Sequence, residues 1–135
     1  MLEAYSKSVS ISENGSVPFT NTKLVKGCTA ELQGESTVVL NKCGVYRVTF
    51  SASVVAGTAG AMSFALSKNG IIQSDTEVTE TASDTTSSET FGFETFVQVP
   101  KSNNNCPCTI PTTISVENTG VAVSGDVKIL IDKVI

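Results

Sequence analysis

The stretch Gly44-Val45-Tyr46-Arg47-Val48-Thr49-Phe50-Ser51-Ala52-Ser53-Val54-Val55 decides the fold. Tyr46, Val48, Phe50, Ala52 and Val54 fall on one face, and Arg47, Thr49, Ser51 and Ser53 on the other. A period of two is the mark of a strand with one buried face. The apolar face carries aromatic and aliphatic residues, so the segment reads as a framework strand of an antiparallel sandwich.

The flanking sequence repeats this pattern. Met62, Phe64 and Leu66 alternate with Ala61, Ser63, Ala65 and Ser67, then Asn69-Gly70 leads into Ile71-Ile72-Gln73. Asn-Gly between alternating segments is a strong hairpin signal. Phe91, Phe93, Thr95, Val97 and Val99 share a face, and Pro100 ends that strand. Further strands are expected at 5–11, 23–25, 28–32, 37–40, 113–116 and 127–135, with an extended piece at Val17-Pro18-Phe19. Residues 5–11 place Tyr5, Lys7, Val9 and Ile11 opposite Ser6, Ser8 and Ser10. Residues 75–89 read as a weak edge strand followed by an exposed loop. No segment has a helical period. About nine short strands with turn signals between them predict an all-β protein, an antiparallel β-sandwich or jelly roll of about eight to ten strands. Length makes it a single domain over residues 1–135. A closing strand is expected to pair with the opening one.

Composition excludes several chemistries. The chain has no His and no Trp. Without His there is no Ser-His-Asp or Cys-His relay and no imidazole ligand for zinc. The net charge of −4, with no basic cluster, opposes nucleic-acid binding. The apolar runs are too short to span a membrane. Met1-Leu2-Glu3-Ala4-Tyr5 has no basic region followed by an apolar core, so no secretory signal is expected. No paired carboxylates can be placed, and the outward Ser and Thr have no base beside them. The expectation is no enzyme, no cofactor and no metal.

Cys28, Cys43, Cys106 and Cys108 leave three readings open: a four-thiolate zinc site, disulfides, or free thiols. Zinc pairs prefer gaps of two to four residues, which neither Cys106-Pro107-Cys108 nor Cys28 with Cys43 supplies. A Cys106–Cys108 bridge closes a very tight ring. Any bridge is better made between Cys28 or Cys43 and one of the later two. The acidic residues Asp75, Glu77, Glu80, Asp84, Glu89 and Glu94 have no calcium-loop order and read as a solvated rim that blocks edge pairing.

The last strand is unusual. Ile129 and Ile131 lie on one face, yet Leu130 and Val134 lie on the other. A strand apolar on both faces is buried on both, which implies a protein neighbour. Phe96, opposed to Phe91 and Phe93, makes the same argument. The N-terminal residues Tyr5, Val9, Ile11 and Phe19 are candidates for docking segment 1–20 onto a larger assembly.

The order Gly44-Val45-Tyr46-Arg47-Val48-Thr49-Phe50, then Phe64-Ala65-Leu66-Ser67-Lys68-Asn69-Gly70, resembles the globular heads of complement and tumour-necrosis-factor-like proteins. Val97-Gln98-Val99-Pro100, Ile114-Ser115-Val116-Glu117-Asn118 and Ile129-Leu130-Ile131 fit the same order over residues 28–135. Lys26-Gly27-Cys28-Thr29-Ala30 and Leu40-Asn41-Lys42-Cys43-Gly44-Val45-Tyr46 resemble, more narrowly, small proteins encoded by phages of Gram-positive gut bacteria. The resemblance implies a ten-stranded jelly roll assembled as a homotrimer, with Phe96, Leu130 and Val134 lining its axis. It implies a virion protein partnered by a major capsid or other virion protein, decorating the capsid or forming a head fibre. Residues 1–135 contain none of the collagenous Gly-X-Y repeat that animal relatives carry as a stalk. The alternative is an adhesin for a host-surface glycan or protein, through loops 56–60, 75–89 and 101–108. The small number of aromatics, two Tyr and no Trp, opposes glycan stacking.

Overall fold

The computed structural model describes residues 1–27, 29–100 and 112–135. Among them are ten strands: β1 Leu2–Ile11, β2 Asn21–Val25, β3 Ala30–Gln33, β4 Thr37–Leu40, β5 Gly44–Ala56, β6 Gly60–Lys68, β7 Ile71–Ala82, β8 Glu89–Val99, β9 Thr112–Asn118 and β10 Val123–Lys133. They form two five-stranded antiparallel sheets, in the orders β2-β1-β10-β5-β8 and β3-β4-β9-β6-β7.

The alternation in β5 becomes an inner face: Tyr46, Val48, Phe50, Ala52 and Val54 are all buried. Phe50 anchors the layer between the sheets. Its ring meets Phe64 at 5.1 Å, Phe93 at 5.5 Å and Phe19 at 6.3 Å. Such contacts add about 0.5–1.5 kcal/mol each beyond area burial. The Tyr46 hydroxyl is taken into the core with its donor committed, 2.8 Å from the Lys42 carbonyl and 3.3 Å from that of Thr29. The Asn69-Gly70 turn between β6 and β7 has both residues at positive φ, 52° and 84°. That is the conformation a two-residue hairpin requires, and Asn and Gly tolerate it best. β1 and β10 pair along most of their length, as the closing-strand argument expects.

Two expectations change. Residues 71–82 form one continuous edge strand, β7, rather than a short piece and a weak one. Pairing with β6 holds it despite its polar sequence. As expected of a piece containing Pro18, Val17 and Phe19 lie outside the strands; both are buried, and their N–H groups donate to the Val116 and Glu35 carbonyls.

The second change concerns β1. Ser6 pairs with Val127 but Val9 with Gly125, so two residues of β1 oppose one of β10. This is a β-bulge, with Ser8 at φ 52°. It shifts the side-chain phase by one. Leu2, Ala4 and Ser6 face the core before it, and Val9 and Ile11 after it. Tyr5 and Lys7 stay outside. The expected docking set therefore does not share a face. Ile11 and Phe19 are 2% exposed, Val9 packs on the core, and β1 is an interior strand between β2 and β10. Val9, Ile11 and Phe19 therefore belong to the core, and stripping β1 from the sheet would expose it.

Candidate functional site

The outer face of the β2-β1-β10-β5-β8 sheet gathers the unexplained apolar residues. Register defines the arrangement. Arg47 lies between Phe96 of β8 and Asp132 of β10. Thr49, the next outward residue of β5, lies between Glu94 and Leu130. Leu130 faces Glu3 of β1, and Glu3 faces Leu24 of β2. Phe96 and Leu130 thus share this outer face, on the two strands that flank β5 and one outward step apart along it. Val134 lies just past β10, and its N–H still donates to the Val45 carbonyl at 2.8 Å. All three axis candidates lie at one end of this face.

Their exposure separates them. Phe96 is 64% exposed, whereas Leu130 is half-buried and Val134 is 40% exposed. Leu24 and Val25 on the edge strand β2 are exposed as well. Sequence reading missed these two, because β2 is short and its five residues have no alternation to interpret. Ion pairs border the apolar residues. Lys128 Nζ is 2.9 Å from Glu3 Oε1, Arg47 Nη2 is 3.7 Å from Asp132 Oδ2, and Thr49 donates to Glu94 at 3.2 Å. Exposed pairs of this kind contribute little to stability. Their effect here is to order the charged side chains around Leu130 and Phe96. The Lys128 hydrogen bond lowers the Glu3 carboxyl below its ordinary value.

At the other end of the same face lies a groove of about 560 Å³, lined by Tyr5, Lys23, Ser51, Ser53, Thr90 and Lys128 among others. Its floor is low because Ser51 and Ser53 are small and Gly92 lies opposite Ser51. A side chain at Gly92 would run into the Phe50 carbonyl oxygen. Asp126 closes the rim. Its carboxylate accepts the Ser8 N–H at 2.9 Å and lies 3.4 Å from Lys7 Nζ, which lowers its pKa. One side chain thus caps the bulge that sets the phase of β1.

The remaining sequence candidates scatter. Cys43 is buried and disulfide-bonded, so the free-thiol and zinc readings fail for it. Cys28, Cys106 and Cys108, and with them loop 101–108, lie outside the described residues. Asp75, Glu77 and Glu80 lie along β7, while Asp84 accepts the N–H groups of Thr86 and Ser87 in the loop before β8. Those N–H groups lower the Asp84 pKa. Among the described residues no group of three or more His, Cys, Asp or Glu could hold a metal ion. No helix among them is long and apolar enough to cross a membrane.

This topology has known counterparts. The fold is that of the complement-head and tumour-necrosis-factor-like jelly rolls. The chain is similar to murine APRIL (TM-score 0.67, 14% identity, 98% of each chain covered). It is also similar to the globular domain of zebrafish complement 1qA (TM-score 0.59, 11% identity, 98% and 97% covered). A bacteriophage counterpart is the PRD1 vertex protein P5 (TM-score 0.60, 18% identity, 99% of this chain and 96% of that chain covered). No family model and no curated protein matches the sequence. At these identities the likeness is one of fold.

Proposed function

We propose that this jelly roll is a non-enzymatic structural protein of a bacteriophage particle. It assembles as a homotrimer and decorates the capsid or forms a short head fibre, held by a major capsid or other virion protein. The observation that carries the reading is Phe96. Its ring is 64% exposed and shares one outer face with Leu24, Leu130 and Val134, and a set of apolar residues gathered on one face is the usual mark of a protein–protein contact. A second copy of the same face is the economical partner, and closed symmetry is the usual outcome for identical chains. The likeness to the PRD1 vertex protein supports the particle setting.

Light scattering on the purified protein tests the assembly. Three times 14.1 kDa, about 42 kDa, is expected. A monomer at micromolar concentration rejects the trimer. Mass spectrometry of purified particles tests the setting: the chain should be present in copy numbers divisible by three. Its absence from particles rejects the structural role.

A further inference from the structure

The ion pairs on the outer face of the first sheet leave a remainder. Lys7 pairs with Asp126, Lys128 with Glu3 and Arg47 with Asp132. Lys23 on β2, Lys26 just past it and Glu94 on β8 are exposed, and among the described residues they make no ion pair. Glu94 accepts a hydrogen bond from the neutral Thr49 hydroxyl. β2 and β8 are the two edges of this sheet. The edges therefore carry opposite charge.

Exposed apolar residues lie at the same two edges. Leu24 and Val25 of β2 are 40% and 53% exposed, and Phe96 of β8 is 64% exposed. Register puts Leu24, Glu3, Leu130, Thr49 and Glu94 in one row across the five strands. One outward step along, Phe96, Arg47 and Asp132 form the next row. Lys26 belongs at that level, because its N–H donates at 2.9 Å to the carbonyl of Met1, one outward step from Glu3. Lys23 is the extra residue where the β1–β2 register shifts, since Glu3 faces Leu24 but Ala4 faces Thr22. One edge thus presents Lys23, Leu24 and Lys26, and the other presents Glu94 and Phe96 at the same heights.

We propose that copies of this chain are related by an axis running along these strands, which seats the β2 edge of each copy against the β8 edge of the next. Leu24 then packs against Phe96 of the neighbouring copy, and Lys23 and Lys26 flank its Glu94. The reason is geometric. A rotation about an axis parallel to the strands keeps every residue at its own height, and a cyclic trimer joins one surface to a different one. A two-fold axis across the strands would instead set like edges together, Lys23 toward Lys23 or Glu94 toward Glu94, and like charges brought together oppose association. The lysines of the β2 edge also block strand addition there, so the contact is made by side chains. This contact rests on the homotrimer reading above, and it specifies which edges meet within it.

The test is carbodiimide cross-linking of the full chain, which joins a lysine amine to a carboxylate in contact with it, followed by peptide mass spectrometry. Within one copy β2 and β8 are four strand spacings apart, about 19 Å, so an amide from Lys23 or Lys26 to Glu94 forms only between copies. Such linked peptides are expected, in bands of two and three chains. Sedimentation velocity gives the second reading, with circular dichroism as the fold control. Glu94→Lys, and separately Lys23→Glu with Lys26→Glu, should each raise the dissociation constant by about tenfold or more at low salt. High salt should shrink the effect, and the three changes combined should return the constant close to wild type. An oligomeric wild type that yields no Glu94 linkage to either lysine overturns the contact and leaves the trimer standing. So do charge reversals that leave dissociation unchanged, or that fail to restore it in combination. A wild type that sediments as a monomer overturns the trimer and the contact with it.

Discussion

Replacing Phe96 with Ser removes the ring that the assembly argument depends on. The magnitude follows from its exposure. A Phe ring and its stem offer about 200 Å², and 64% of the residue is open in the protomer. About 130 Å² is then available to be covered by a neighbour. At about 25 cal/mol/Å² that is about 3 kcal/mol per protomer, or a factor of about 150 in the dissociation constant. The protomer itself should hardly notice, since the ring lies outside the core. Sedimentation velocity over a dilution series is the assay, with far-ultraviolet circular dichroism as the fold control. The wild type should stay near 42 kDa, three times 14.1 kDa, where Phe96→Ser falls toward 14.1 kDa with an unchanged β spectrum. A variant that dilutes like the wild type would refute the reasoning, because the exposed ring would then have no part in the interface. Loss of the β spectrum would refute it too, because Phe96 would then be a core residue of the protomer.

Three further outcomes test the fold beneath this face. Tyr46→Phe leaves the Lys42 carbonyl without its buried donor and should cost about 1–2 kcal/mol, read as a drop in the thermal midpoint of several degrees. Gly92→Ala forces a methyl group into the Phe50 carbonyl oxygen and should cost more than about 2 kcal/mol by parting β5 from β8. A thermal midpoint equal to wild type would show that the two strands can separate there without cost. Asp126→Asn should destabilise near neutral pH and lose its effect in acid. The folded-state pKa of Asp126 is depressed by the Ser8 N–H, so its stabilisation is present above the unfolded-state carboxylate value and disappears as pH falls through the lower folded value. Urea midpoints of wild type and variant should therefore converge on acidification; a constant gap would point to lost packing instead of charge.

The fold class was legible because its signals are local. β5 and β6 carry uninterrupted alternation, and Asn69-Gly70 supplies the φ > 0 pair that a tight hairpin needs. The two-faced character of β10 could also be read along the chain, and it correctly put Ile129 and Ile131 inside and Leu130 outside. Where the reading failed, the cause was nonlocal. The alternation expected over residues 5–11 assumed one unbroken period in β1. The bulge that resets that period is held by Asp126, 118 residues away from Ser8. The polar sequence of β7 concealed a long strand whose pairing comes from β6.

By itself, then, the sequence determined an all-β sandwich, its strand-rich order, and a set of apolar residues too many for a core, since period, turn chemistry and composition act over a few neighbours. Only the tertiary structure decided which residues meet. Register across β2, β1, β10, β5 and β8 gathers Leu24, Leu130 and Phe96 onto one face. Pairing of β6 with β7 and β9 buries Ser63, Ala65 and Ser67 on the outer side of that sheet. A side chain's orientation is set by its own strand, but its neighbours are set by hydrogen bonds between strands far apart in the chain.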